Sequence, residues 1–128
     1  MDRRSVPRSL VSDARQLTGE LCLALADGQK LTAKGSLWDV SETGASFICD
    51  LTPELLDVTP GQAARLVVRY EEMTLQLETE VRHTRTVSRN TIVLGMRLCR
   101  TPASKHSLEQ WPTLLWHLRT HGTLRNAS

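Results

Sequence analysis

Between Met73 and Arg82 the chain alternates without a break. Met73, Leu75, Leu77, Thr79 and Val81 fall on one side of an extended backbone, and Thr74, Gln76, Glu78, Glu80 and Arg82 on the other. A period of two puts successive side chains on opposite faces of a strand, so this segment needs a sheet with one dry face and one wet face. Antiparallel sheets meet that requirement, whereas parallel strands are covered on both sides and read as continuous apolar runs. The alternation recurs in Ala64, Leu66, Val68 and Tyr70, with Arg65 and Arg69 between them, and again in Ile92, Leu94, Met96 and Leu98. Gly95, inside that last run, predicts a bulge or a close backbone approach.

Turn chemistry separates these segments. Leu21, Leu23 and Leu25 lead into Asp27-Gly28, the dipeptide of a tight hairpin, and a second extended run continues to Val40. Ser41 to Gly44 reads as another turn, whose glycine can adopt positive φ, followed by a strand over Ala45 to Cys49. The stretch TPELLD predicts a short helical turn with Thr52 as N-cap and Pro53 at the first helical position. Ser88-Arg89-Asn90 predicts the turn before the last strand, and Ser9 to Gly19, polar and without a sustained period, reads as a loop. Only the end of the chain is helical in pattern: Leu108, Trp111, Leu114, Leu115 and Leu118 form one apolar stripe, with Trp116 off it. Pro112 predicts that the helix starts or kinks there. Six short strands and a terminal helix predict an all-β fold, a small antiparallel barrel whose closure removes exposed strand edges.

At 128 residues and 40% hydrophobic content the chain suffices for one domain with its own core. Sixteen basic and 14 acidic side chains leave a net charge of only +2, so any anion site has to be local. Cys22, Cys49 and Cys99 are odd in number and lack a CxxC pair, which reads as buried, reduced thiols of an intracellular protein. His83, His106, His117 and His121 show no metal-ligand spacing, and no metal or catalytic constellation is expected. Glu78 and Glu80 share a wet strand face without a nucleophile or base beside them. The start is charged, without the apolar stretch of a signal peptide, and no apolar run is long enough to cross a bilayer. The expectation is a cytoplasmic location, compatible with attachment to the cytoplasmic face of a membrane complex.

Two short stretches remain unexplained by folding alone. One is the opening RRSVPR, where Arg3, Arg4 and Arg8 flank Pro7; the other is the turn DVSETG, where Asp39, Ser41 and Gly44 stand in DxSxxG spacing. Taken separately, they read as a solvated basic tail and an ordinary hairpin turn whose Asp39 or Ser41 bonds nearby backbone. In this order, RxxxR (Arg4, Arg8) ahead of a barrel whose second hairpin carries DxSxxG, they resemble the PilZ family of cyclic di-GMP receptors. The resemblance implies a six-stranded, split-barrel type PilZ-like fold with a C-terminal helix. It divides the chain into an arm over 1–19, a barrel over 20–102, and a helix and tail over 103–128. It further implies that the arm closes over the dinucleotide while the DxSxxG turn grips its other side. Arg4, Arg8, Asp39, Ser41 and Gly44 are then the ligand-binding residues. Arg82 or His83, on the strand EVRHTR, stands where such domains often place a side chain beside the ligand; read for folding alone, Arg82 is a solvated outward residue and His83 a satisfied neighbour of the core, and that simpler reading is the favoured one.

The chemistry suits the residues. Cyclic di-GMP carries two phosphodiester charges and two guanines. An arginine fork matches both phosphate and the guanine O6/N7 edge, and its flat cation stacks on a base. Asp39 can accept from guanine N1 and N2 or orient an arginine of the arm, Ser41 and nearby backbone can donate to ligand oxygens, and Gly44 is there for backbone freedom and for close approach. Pro7 biases its surroundings toward an extended strap. Because Ser9 to Gly19 separate Arg8 from Glu20, two arrangements stay open: a long arm using Arg4 and Arg8 with Arg3 beside them, or a displaced arm in which Arg15 is the main contact. The expected role is non-catalytic, without a cofactor, coupling the ligand to a protein partner in pilus, flagellar or polysaccharide machinery and so to motility, biofilm or exopolysaccharide. The alternative is a PilZ-like interaction module that does not bind the nucleotide. Binding of a nucleic acid polymer is disfavoured, since one Phe and one Tyr supply no stacking platform.

Overall fold

The structure, a computed structural model, describes residues 9–11, 17–25, 28–102, 105–120 and 124–126, the first and last of these segments as backbone only. In chain order the elements are β1 (Ser9–Val11), β2 (Leu17–Ala24), β3 (Lys30–Val40), β4 (Gly44–Asp50), a 3-10 helix (Pro53–Asp57), β5 (Ala63–Tyr70), β6 (Met73–Ser88), β7 (Thr91–Leu98), α1 (Lys105–Thr120) and β8 (Leu124–Asn126).

The strands run in the order β2-β5-β6-β7-β4-β3, and β2 pairs with β3 to close the ring. The result is the expected six-stranded antiparallel barrel with a C-terminal helix. Two long strands make closure possible by changing partners along their length. β3 pairs with β2 over Lys30 to Ser36 and with β4 from Gly35 to Val40, with a register shift between Leu37 and Asp39 that leaves Trp38 as an exposed extra residue. β6 pairs with β5 over Met73 to Glu80 and with β7 from Thr79 onward.

The alternation read from the sequence is the inside-outside pattern of this barrel. Leu21, Leu23, Leu37, Phe47, Leu66, Leu75, Leu77, Val81 and Leu94 point into one shared core. Arg65, Arg69 and Arg97 lie outside, where Arg65 and Arg69 pair with Glu78 and Glu20 across strands at 3.4 Å. Exposed pairs of this kind contribute little to stability. α1 lies across the barrel end that carries the Ser41 to Gly44 turn and buries Trp111, Leu114, Leu115 and Leu118. Its first turn covers the edge of β6 that β7 does not reach, where the Gln76 N–H donates to Ser107 Oγ at 3.0 Å. The 3-10 helix follows the far end of β4 and buries Leu55, with Val58 just behind it.

Four local expectations are corrected. Ser9 to Gly19 is not simply a loop: β1 takes up the edge of β3 beyond Ser36, where the pairing with β2 stops, with Leu10 opposite Asp39, and β2 begins at Leu17. Backbone pairing of this kind leaves no trace in side-chain period. Thr52 precedes the 3-10 helix in an extended conformation but makes no capping bond, and its Oγ1 is buried without a partner. The α-helix passes through Pro112 instead of starting there, on its exposed face, at the expense of the bond the missing N–H would make to Leu108. Cys49 alone of the three thiols is buried, with Cys22 and Cys99 half-buried.

Burial, and secondarily the Asp50 carboxylate, push the Cys49 thiol from its usual 9.0 up to about 11. The fold therefore favours the neutral thiol. Its contribution to stability is present below pH 9 and is lost as pH rises toward 11. The expected result of iodoacetamide treatment at pH 8 is alkylation of Cys22 and Cys99 with Cys49 spared until the protein unfolds. Mass-spectrometric mapping showing Cys49 modified as fast as the other two would contradict this burial.

Candidate ligand-binding face around the Asp39–Gly44 turn

The turn between β3 and β4 is held from three directions. Within it, the Ser41 N–H donates to the Gly44 carbonyl at 2.9 Å, and Ser41 Oγ accepts from the Thr43 N–H at 3.3 Å. From β7, the Leu98 N–H donates to the Thr43 carbonyl at 2.8 Å. From the helix, Trp111 Nε1–H donates to the Ser41 carbonyl at 2.8 Å, in a buried bond. The Ser41 hydroxyl is thus engaged in local turn geometry, the bland reading of its position.

Gly44 does not use the positive φ open to a glycine; among the described glycines only Gly28 and Gly61 do. Close approach, the other reason expected for Gly44, is what the register requires, since a Cβ there would collide with the Met96 carbonyl oxygen of β7.

Register extends the site across the barrel wall. Residues directly opposite one another in neighbouring strands share a face. Asp39 of β3 is opposite Ser46 of β4, Ser46 is opposite Gly95 of β7, and Gly95 is opposite His83 of β6. Ser46 lies between the core-facing Ala45 and Phe47, so this row is on the outer face. The next row on that face runs from Gly44 to Arg97 to Glu80. β6 bulges at Arg82, between the Val81–Met96 and His83–Gly95 pairs.

Spanning four strands, the face measures about 14 Å across at the usual strand spacing. Asp39, half-buried, stands on one side. On the other stand His83, Arg82 and Arg97, all exposed. The His83 imidazole lies directly over Gly95, leaving no room for a side chain there. The approach at Gly95 is thus made by a side chain where another backbone was expected, and His83 lies exposed on the outer face and not as a neighbour of the core. Arg82 Nη1 and Arg97 Nη2 both donate to Glu80 Oε1, at 3.0 and 3.3 Å.

Of the arm, Arg3, Arg4, Arg8 and Arg15 lie outside the described residues. The described strand β1 follows Arg8 directly in the chain and runs antiparallel to the end of β3, with Ser9 opposite Val40 and Leu10 opposite Asp39. Its outer edge pairs with β8, where Arg125 is opposite Leu10. Among the described residues, no group of three or more His, Cys, Asp or Glu side chains is placed to hold a metal ion. No described helix is long and apolar enough to cross a membrane.

Three features of this face escape sequence reasoning. Arg97 reads as one more outward arginine until register puts it opposite Gly44. The β1–β3 pairing and the Trp111 bond to Ser41 join positions 30 and 70 residues apart. Such long-range contacts have no local signature.

No family model matches the sequence, and no curated protein matches it. Solved structures do. The PilZ domain of YcgR from Escherichia coli, solved with c-di-GMP, superposes with a TM-score of 0.66 at 16% identity, covering 94% of this chain and 95% of that one. The fold is that of a PilZ domain. The c-di-GMP complex of K. pneumonia MrkH gives a TM-score of 0.71 at 14% identity over 95% of this chain, and the Bacillus subtilis inhibitor of motility MotI/DgrA gives 0.53 at 17% identity over 93%. The PilZ-like chain spans about half the length of those two proteins, covering 55% and 54% of them.

Proposed function

We propose that this PilZ-like barrel is a cyclic di-GMP receptor without catalytic activity, in which the Arg4/Arg8 arm closes over a dinucleotide seated on the Asp39 to Gly44 turn. The observation that carries this reading is the pairing of β1 with β3, because it brings the strand that follows Arg8 alongside Asp39. Asp39 accepts from a guanine Watson–Crick edge or orients an arm arginine, and arginine forks take the phosphodiesters. His83 offers a flat ring on the same register row. Ordering of the arm is the switch, and a partner in motility, biofilm or exopolysaccharide machinery reads the reshaped surface. The proposed setting is the cytoplasm, compatible with attachment to the cytoplasmic face of a membrane complex. The solved neighbours in complex with c-di-GMP support the ligand class.

Isothermal titration of cyclic di-GMP, at fixed ionic strength, tests the reading in the wild type, the Arg4→Ala/Arg8→Ala double variant and Arg15→Ala. Each charge-assisted hydrogen bond is worth roughly 1.5–3 kcal/mol, so loss of both motif arginines is expected to weaken binding more than about a hundredfold. Loss in Arg15→Ala alone assigns the contact to the displaced arginine. No binding by the folded wild type overturns the receptor reading and leaves the interaction module that does not bind nucleotide.

A further inference from the structure

The Glu80 carboxylate has an arrangement that neither the arm nor the turn accounts for. One of its oxygens, Oε1, receives guanidinium donors from both Arg82 and Arg97. Both arginine side chains remain more than half exposed, at 56% and 57%, while Glu80 is 29% exposed. Arg97 sits opposite Gly44, the last residue of the DxSxxG turn, and Arg82 is the bulged residue next to His83. Two cations share one carboxylate, which leaves the cluster a surplus positive charge beside the proposed site.

Exposed ion pairs are weak, whereas a phosphodiester offers an arginine two parallel acceptors and a full negative charge. A doubly charged ligand on this face therefore competes with Glu80 for the same donors. Nothing comparable occurs at Arg69, whose only described ion pair is with Glu20 on the far strands β5 and β2.

We infer that Arg97 and Arg82 form an anion-binding wall on the β6–β7 side of this face, and that Glu80 is a built-in competitor which the ligand displaces. The inference rests on the receptor reading and assigns to that site an affinity-setting element outside both motifs. Glu80 holds the two guanidiniums in place in the free protein, and the ligand phosphate takes them over on binding. The strength of the Glu80 pairs sets the concentration at which the receptor responds.

The test has a sign pattern that a merely structural ion-pair cluster does not reproduce. Cyclic di-GMP is titrated into wild type, Arg97→Ala, Arg82→Ala, Glu80→Gln and Arg69→Ala, with melting temperatures measured alongside. Arg97→Ala is expected to weaken binding by about five- to tenfold, and Arg82→Ala by about threefold. Glu80→Gln is expected to tighten it by about threefold, with Arg69→Ala unchanged. If the wild type binds but Arg97→Ala binds equally well, or Glu80→Gln weakens binding, this inference falls while the receptor reading stands. Equal weakening by Arg69→Ala reduces the effect to general attraction and also overturns it. If the wild type does not bind, both fall.

Discussion

Replacing Trp111 by alanine is expected to lower the unfolding free energy by about 3–5 kcal/mol, the range for truncating a large buried aromatic side chain. Trp111 is 1% exposed and is the largest of the fully buried side chains. It fills the barrel end beneath α1 and also supplies the donor for the Ser41 carbonyl at 2.8 Å. Trp111→Phe separates the two roles. It keeps most of the apolar volume but leaves a buried carbonyl without its donor, an expected loss of about 1–3 kcal/mol. Urea denaturation followed by circular dichroism measures both. Tryptophan fluorescence adds an independent view, because Trp38 and Trp116, 42% and 59% exposed, are open to acrylamide quenching and Trp111 is not. A Trp111→Ala protein as stable as wild type would mean that α1 does not close the barrel as described.

Gly44→Ala is expected to cost about 1–3 kcal/mol through overpacking, with or without a ligand. The added methyl meets the Met96 carbonyl, which belongs to the backbone of β7 and cannot turn aside. Gly95→Ala is the informative contrast. There the obstruction is the far end of the His83 side chain, which can rotate away, so the fold is expected to tolerate the change. A thermal melt of the two variants checks the ordering. If Gly95→Ala proves the more destabilising, His83 is locked where the geometry indicates freedom. The comparison bears on ligand assays too, because weaker binding by Gly44→Ala would partly report a distorted strand pair.

The barrel was legible in the sequence for a definite reason. A closed antiparallel sheet has one inside and one outside, so burial repeats every second residue, and Met73 to Val81 carries that repeat almost without exception. The helix was legible for the same reason at period 3.6, and Trp111 was separable from Trp116 because only one of them lies on the apolar stripe. The DxSxxG turn was visible because turn chemistry and a rare spacing are both local. Close approach at Gly44 was readable, but not what it approaches. Positive φ is the usual demand on a turn glycine, and only the register of β4 against β7 shows that the Met96 carbonyl excludes a side chain.

What the sequence by itself determined is therefore everything governed by neighbours along the chain: strand and helix periods, turn positions, the absence of metal-ligand spacing, and the two short motifs with their order. Tertiary structure alone decided how these parts meet. Register set Arg97 opposite Gly44 and His83 on the row of Asp39. A free edge on β3 drew β1 beside the turn, and the closing helix brought Trp111 to Ser41. Each of these depends on where strands stop pairing and on which edge is left unsatisfied, because backbone donors and acceptors must find partners wherever the closed ring leaves them exposed.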